Sequence, residues 1–473
     1  MNQTHMKPHQ PKIGILALTL ELYETLAPGV RENREQWLRR DVIPVLSRFV
    51  EVEFQSAVFS GNGIRAEVNR LEQADVDAIL VVFLTYAPSQ LAIAPMQSLR
   101  VPLLIWNIQE LLGVGESYDQ NTLLENHGVH GTQDLANVLV RCGVPFEYMT
   151  SHIGDSNACD EVVDFAYAAF AKRQISLSRF GLLGTAFPGM GDFAVDTTQW
   201  VSKFGCDWTT LPIEEYIHHA EKMDEEKVLA LIRDYQNSYD IAADVTKADL
   251  SQTARAELAM RLLVEENGLA GFTYLFTALG DDERTSTMPF VAASRMMADG
   301  YGFGGEGDLI SAMATRMFHL LHPPVSFSEI FTIDYRGNAL FFSHMGEANA
   351  AMAGKDRKIP LVARPTPITR TQNRQLVLVT VFEPGTATLA ALVQCRNRWK
   401  LITALVQTEN FRPLPTLCVP HTKIRVHGDV RKFLTDYAKA GGTHHNAILT
   451  GDVRARLRTL AVLTDMDYAE LNG

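Results

Sequence analysis

The chain is predicted to be an α/β protein, with two consecutive open α/β layers followed by a small antiparallel β domain with a C-terminal helix. Three observations carry this expectation. Continuous apolar runs such as Ala78–Leu84 and Leu103–Ile108 have the composition of strands buried on both faces of a parallel sheet. They alternate with segments of helical periodicity, the pattern of sheets joined by crossover helices. Beyond about Lys358 the chain turns to short β-type runs punctuated by Pro413, Pro415 and Pro420, the mark of an antiparallel unit. Its 473 residues correspond to about three domains at roughly 150 residues each, with boundaries expected at 12–178, 179–355 and 356–473. The two open layers are Rossmann-like in plan.

The residues before Lys12 are polar and broken by Pro8 and Pro11, which predicts a flexible tail without the apolar core of a signal segment. Ile13–Leu18 is the first strand. A helix with Leu38, Val42, Val45 and Phe49 on one face follows, kinked at Pro44. Val50–Phe59 is a second strand, and Ile64, Val68 and Leu71 mark the next helix. The loop from Gln109 to Gly131 emerges at the carboxyl ends of the strands, where open sheets bind ligands. It carries His130, for which a structural histidine beside a helix start is the competing reading. The second layer holds strand Phe180–Leu183, a loop from Pro188 to Asp192 whose Met190 and Asp192 can line a cleft, and a polar helical stretch from Glu214 to Tyr239. Ser251 is expected to cap a helix through Ala254, Leu258 and Leu262 that stops at Asn267-Gly268. Asp281-Asp282-Glu283 is most simply a solvated acidic loop. In the third part, Leu376–Phe382, Ala387–Val393 and Leu401–Gln407 read as strands. Asp429 is the N-cap of a helix running to Ala440, with Val430, Phe433, Leu434 and Tyr437 on one face.

The segment Gly302-Phe303-Gly304-Gly305-Glu306-Gly307-Asp308 stands out. Its glycine spacing fits a dinucleotide-binding turn, with Glu329 about 20 residues on. That turn needs a strand before it. Here Thr287 and Pro289 supply helix start signals, Phe290, Ala293 and Met297 recur at helical spacing, and Gly300 ends the run. A helix before the turn, and a carboxylate within it, argue against a pyrophosphate. The helix that follows, Leu309–Leu321, places Met313, Met317, Leu320 and Leu321 on one face. Val325, Phe327, Glu329, Phe331 and Ile333 then alternate as a strand, with Glu329 on the apolar face. A carboxylate there is costly unless it is paired or bound to a metal. Arg336-Gly337 reads as a hairpin turn returning through Ala339–His344. Pairing Tyr335 with Asn338 sets Glu329 opposite His344, with Cβ atoms roughly 4.5 to 5.5 Å apart. From there the two can share one cation or form a simple Glu–His pair in a satisfied core. A slip of one residue destroys either arrangement. Near the C-terminus, Gly441-Gly442 stop the helix, and His444-His445 follow in a loop that can deliver an imidazole into a cleft or leave it solvated.

Composition narrows the function classes. A formal net charge of −12 disfavours nucleic acid or anionic membrane as a partner. No apolar run reaches membrane-spanning length. Cys142, Cys159, Cys206, Cys395 and Cys418 are odd in number and lack metal-type spacing, which points to free thiols in a reducing, cytoplasmic setting.

The run Gly300–Asp308, the Ser343-His344-Met345 element, the Gly442-Thr443-His444-His445 element and the stretch Asn126–Asp134, with His130-Gly131 and Gln133-Asp134, resemble the L-arabinose isomerase family in the same order. The resemblance implies that Glu306, Glu329, His344 and His445 ligate a divalent metal, manganese first, with iron, cobalt or zinc as alternatives. It implies Glu306 and Glu329 as the proton-transfer pair, His130 as a substrate contact and Leu279 as part of the substrate wall; Asp308 in the acidic turn and Met190 by its loop position are the further candidate substrate-binding residues. It further implies homo-oligomers, trimers or hexamers, in which His130 completes a neighbour's site. The family's Trp-Lys after the acidic turn is here Leu309-Ile310, its Gln-His-Leu-Tyr element is Leu20-Glu21-Leu22-Tyr23, and a Phe of its substrate wall corresponds to Leu279. The implied reaction interconverts an aldose and a ketose, L-arabinose to L-ribulose in type, through an enediol. A hard divalent ion stabilises the developing negative charge while two carboxylates move the carbon and hydroxyl protons. Mixed carboxylate and imidazole ligands suit a transition metal better than magnesium or calcium. The alternatives are the same centre acting on another sugar or sugar acid, and a non-catalytic sugar-binding protein.

Overall fold

The computed structural model describes residues 10–364, 369 and 374–472. Most of the polar segment before Lys12 therefore lies outside the described residues. Contacts divide the chain into two compact units, Lys7–Arg173 and a larger one that includes Gln174–Gly473.

In the first unit, five parallel strands stand in the order Glu51–Glu53, Lys12–Leu18, Ala78–Phe83, Leu103–Asn107 and Glu147–Thr150. The three central strands are the apolar runs of the sequence, and Leu16, Ile79, Val81 and Ile105 are fully buried. The strand expected over Val50–Phe59 is shorter. Only Glu51–Glu53 joins the ladder, with an isolated bridge from Leu18 to Val58, because this edge segment is polar. The helix before it does not merely kink at Pro44. A π-helical turn, Leu38–Val42, absorbs the irregularity just ahead of the proline.

The larger unit contains two main sheets. The parallel one runs Gly302–Gly304, Gly271–Tyr274, Arg179–Leu183, Asp207–Leu211. Gly302–Gly304 corrects the expectation that only a helix precedes the acidic turn. The Phe290–Ala298 helix is present, but a three-residue strand lies between it and the turn. The helix Leu309–Leu321 crosses this strand so closely that a Cβ at Gly302 would stand 2.0 Å from the Ala312 carbonyl oxygen. These glycines therefore serve close packing rather than a phosphate cradle. That helix is buried at eleven of its thirteen positions, not along one stripe, because it packs against the parallel sheet and against the second sheet as well. The long helix Lys247–Glu266 begins one turn before the expected Ser251, at a capping box of Thr246 and Asp249.

The second sheet is antiparallel and closed. Gly385–Cys395, His445–Thr450, Val325–Asp334, Ala339–Ser343, His421–Val426 and Arg398–Thr408 pair in that order, and the last also pairs with the first. Closure removes the exposed edges that an open sheet of these lengths would carry. Asp467–Leu471 adds in parallel to Arg398–Thr408, and two helices, Val430–Ala440 and Arg454–Leu463, complete the region. Asp429 caps the first of them through the Arg431 and Lys432 amides.

Candidate metal centre

Four segments of the larger unit bring acidic and imidazole groups together. Glu306 follows the strand Gly302–Gly304, at the carboxyl end of the parallel sheet, where open sheets place their ligands. Its backbone is left-handed, at φ 59°, which is uncommon for a side chain other than Asn or Asp. Two bonds hold the turn there: the Phe187 amide donates to the Glu306 carbonyl at 2.9 Å, and the Thr273 hydroxyl donates to the Gly304 carbonyl at 2.7 Å. Gly305 leaves room for the site itself, since a Cβ on it would meet His344 Nε2 at 2.9 Å.

The other groups belong to the barrel. Glu329 lies directly opposite His445 across the pairing of Val325–Asp334 with His445–Thr450. His445 is thus the first residue of a strand, not part of a loop. On its other side Glu329 is opposite Ser343, and not His344 as hairpin counting predicts. The register counted from the turn holds as far as Thr332. A bulge between Ile330 and Thr332 then shifts it by one, as an extra residue in one strand does. His344 lies just past the strand's end and still reaches Glu329 Oε1, at 3.5 Å from its Nε2.

The donor atoms converge without satisfying one another. His445 Nε2 lies 3.0 Å from Glu329 Oε1 and 3.6 Å from Glu306 Oε2. Yet Glu306 Oε2, His344 Nε2 and His445 Nε2 are buried and make no directed hydrogen bond. Buried polar atoms are nearly always bonded, so three such atoms gathered around Glu329 fit a cation. The far nitrogen of each ring is held by a carboxylate, as is usual for metal-binding histidines. His344 Nδ1 donates to Glu347 at 2.6 Å, and His445 Nδ1 donates to Asp308 at 2.8 Å. Phe327 stands edge-on to both rings, with centroids 4.8 Å away, and Phe193 stacks on His445 at 5.0 Å.

His444 is a fifth donor. Atoms of Glu306, Glu329, His444 and His445 all lie within 4.8 Å of one another, a set that takes in His444 where the resemblance implied His344. His444 differs from His344 in exposure, with 40% of its side chain accessible against 6%. Its Nδ1 donates to Asp192 at 2.6 Å, and its amide donates to the same oxygen at 3.0 Å.

The electrostatics describe an anion-rich cavity that favours positive charge. Burial pushes the Glu306 carboxyl up, but the His444 and His445 imidazoles beside it and the nearby charge of His344 outweigh it and bring it down to about 2. Burial and the adjacent His445 imidazole compete in the same way at Glu329, with a net fall. Burial lowers His445, yet its bond to Asp308 and the neighbouring Glu306 and Glu329 carboxylates carry it well above the usual imidazole range. His344 is raised on balance by Glu347 and Glu329 against its burial.

The remaining predicted positions are placed as follows. Asp308 does not face the cleft as a free ligand, since both of its oxygens are engaged, Oδ1 by the Ser311 amide at 2.9 Å and Oδ2 by His445. Met190 sits in the turn after Phe187. Leu279 is fully buried in the core beside Met288 and Phe290, whereas Phe276 of the same short helix is half-buried and stacks on Phe187 at 5.6 Å. Leu309 and Ile310 are each 3% exposed, so they fill the core in place of the family's Trp-Lys. His130 belongs to the first unit, in the first turn of helix Gly128–Cys142 rather than in a loop. It is exposed, 3.0 Å from His127, with its ring on Tyr86. Tyr23 in turn bonds His127 at 3.3 Å. The Leu20–Tyr23 element and the histidine segment thus share the carboxyl end of that unit's sheet. Sequence reading passed over Glu347, whose only local signal is its i+3 spacing from His344.

Residues 190–322 match the model of the L-arabinose isomerase central domain, and residues 324–467 match that of the L-arabinose isomerase C-terminal domain. The chain belongs to the L-arabinose isomerase family. Curated relatives are distant but extensive. The L-arabinose isomerase of Nocardioides sp. is 27% identical over 80% of this chain and 77% of its own, that of Klebsiella pneumoniae 27% over 84% and 82%, and that of Clavibacter sepedonicus 24% over 90% and 86%. A solved solute-binding protein from Agrobacterium vitis with bound alpha-D-tagatopyranose aligns at 11% identity over 56% of this chain and 76% of its own. Its TM-score of 0.16 is too low to carry an argument. The first domain match includes the Glu306 turn and the second spans Glu329, His344 and His445.

Proposed function

We propose that the chain is a metal-dependent aldose–ketose isomerase of the L-arabinose type. Glu306, Glu329, His344 and His445 would hold a divalent metal, with manganese as the first choice. The observation that carries this is the presence of three unbonded buried atoms, Glu306 Oε2, His344 Nε2 and His445 Nε2, the two nitrogens 3.5 and 3.0 Å from Glu329 Oε1 and the last 3.6 Å from Glu306 Oε2. His344 is preferred to His444 as a ligand because its free nitrogen is buried, while 40% of the His444 side chain is exposed. When bound, a hard divalent ion supplies Lewis acidity that stabilises charge on the two neighbouring sugar oxygens of an enediol. Glu306 and Glu329 flank the same point, so one can accept the proton from C2 of the aldose and return it to C1 while the other carries the hydroxyl proton from O2 to O1. The strained turn at Glu306, pinned by Phe187, holds its carboxylate for that transfer. His444, oriented by Asp192, is placed to meet a sugar hydroxyl. His130 is proposed as a substrate contact supplied by a neighbouring subunit of a trimer or hexamer, and the five unpaired cysteines support a reducing, cytoplasmic setting.

A second reading keeps the centre and changes the sugar. Two placements favour weighing it: Leu279 is buried in the core, and the aromatic wall falls to Phe276 and Phe187. Metal analysis followed by a panel of aldoses assayed for ketose, with and without chelator, separates the two. Turnover of L-arabinose supports the first reading, and turnover of another sugar alone supports the second. Bound metal with no isomerisation of any pentose or hexose would refute both. Glu306→Gln should abolish turnover in a folded protein, and retained activity would remove Glu306 from the proton pair.

A further inference from the structure

Beside the metal centre lies a buried carboxylate that the proposed chemistry does not use. We propose that Glu347, clamped by Tyr274, is a positioning residue that decides which ring nitrogen of His344 faces the metal site. The inference rests on the metal-centre reading above.

Glu347 is 2% exposed and Tyr274 1%. The Tyr274 hydroxyl donates to Glu347 Oε1, and His344 Nδ1 occupies Oε2 at 2.6 Å. Each oxygen thus has its own donor. An ionised carboxylate accepts only, so the single proton of the neutral imidazole resides on Nδ1. Nε2 is then left with its lone pair, the form a metal ligand requires. That nitrogen is the buried atom without a hydrogen bond, 3.5 Å from Glu329. Rotation of the ring is opposed by Phe327 on one side, edge-on at 4.8 Å.

Tyr274 ends the strand Gly271–Tyr274 of the parallel sheet, whereas His344 and Glu347 follow a strand of the barrel. The clamp therefore ties the barrel's ligand to the sheet whose edge strand leads into Glu306. Its ring packs against Phe303, with centroids 5.5 Å apart, just before the acidic turn. As a source of stability alone this arrangement is poor, because a buried charge costs several kcal/mol to desolvate and an apolar side chain of the same size often does better. Fixing a tautomer is a task that only an acceptor at this position performs.

The test is calorimetric titration of Mn2+ into chelator-stripped full-length protein. Wild type, Glu347→Gln, Glu347→Ala, Tyr274→Phe and His344→Gln are compared, and folding is checked by circular dichroism and thermal midpoint. Glu347→Ala should raise Kd by about 10- to 100-fold, the usual loss for such outer partners. Glu347→Gln should fall between it and wild type, because an amide can accept from Nδ1 or donate to it. Tyr274→Phe should give a smaller loss in the same direction. Nitrogen NMR of His344 in the stripped protein, recorded at a pH where the ring is neutral, should show the proton on Nδ1 in wild type and a mixed tautomer in Glu347→Gln. Folded Glu347 variants with wild-type affinity, or a mixed tautomer already in wild type, would overturn the inference. If Glu347→Ala does not fold, Glu347→Gln and the tautomer measurement decide. Failure of wild type to bind Mn2+ at all, with His344→Gln no different, would instead remove the metal-centre reading and this inference with it.

Discussion

Asp308 does two jobs with two oxygens, and a single pair of variants can separate them. Oδ1 caps the helix Leu309–Leu321 through the Ser311 amide at 2.9 Å, and Oδ2 accepts from His445 Nδ1 at 2.8 Å. Asp308→Ala removes both. Loss of the cap costs roughly 0.5 to 2 kcal/mol, and a buried imidazole N–H left without an acceptor costs roughly 1 to 3 kcal/mol. The fold should therefore lose about 1.5 to 5 kcal/mol. Asp308→Asn behaves differently. Asparagine caps as well as aspartate, so with its oxygen kept on Ser311 the stability should change by well under about 1 kcal/mol through the cap. Its amide NH2 then faces His445 Nδ1, where two donors meet unless the ring proton moves to Nε2. That proton would point at the place the ion should occupy. A metal affinity lower by about 10- to 100-fold follows, equivalent to roughly 1.4 to 2.7 kcal/mol. Urea unfolding of the stripped proteins and calorimetric Mn2+ titration measure the two effects separately. If Asp308→Asn folds normally and binds metal like wild type, the tautomer argument fails. If both variants lose affinity only in proportion to their stability, Asp308 is a cap and nothing more.

Three further outcomes are expected. Gly305→Ala should weaken Mn2+ binding in a folded protein, because the new Cβ would stand 2.9 Å from His344 Nε2 and 3.0 Å from Phe327 Cζ; unchanged affinity by titration would take His344 out of the ligand set. Glu257 is fully buried between Arg261 and Arg295, at 2.8 and 2.9 Å, and accepts from the Tyr235 hydroxyl at 2.8 Å; the arginines keep Asp299 and Asp234, so Glu257→Ala should cost about 1 to 3 kcal/mol, chiefly by leaving the buried Tyr235 donor unsatisfied, and a loss below about 0.5 kcal/mol in urea unfolding would contradict that. Burial, helped by the Arg316 charge, brings the His319 imidazole down to about 4. Its folded value lies below the unfolded one near 6.5, so its contribution is present above about pH 6.5 and is lost as pH falls toward 4. The difference is worth roughly 3 kcal/mol. Thermal midpoints at pH 7 and pH 5 should therefore diverge more for wild type than for His319→Gln, and equal divergence would assign the acid sensitivity elsewhere.

Much of this molecule is written locally. Apolar runs such as Ala78–Phe83 and Leu103–Asn107 declare buried parallel strands, because strands covered on both faces need no polar alternation. Asp429 and Gly441 mark the ends of their helix, since capping is a matter of neighbouring residues. Glu306, Glu329, His344 and His445 were legible as a set through a glycine turn, a carboxylate on an apolar strand face and the family resemblance. Their arrangement was not. Hairpin counting set Glu329 against His344, but the bulge after Ile330 moved it to Ser343, and a bulge leaves no mark in a pattern of alternating residues. The partner that does lie opposite Glu329 is His445, on a strand far along the chain. Glu347 and Asp308, which orient the two rings, were likewise invisible as a pair, one three residues from its histidine and the other more than a hundred away. Periodicity and capping are properties of adjacent residues, so the sequence alone determined the elements and the candidate ligands. Which ligand meets which, and which nitrogen each presents, is settled by the register between distant strands and by the helix wedged between the two sheets, and only the tertiary structure contains that information.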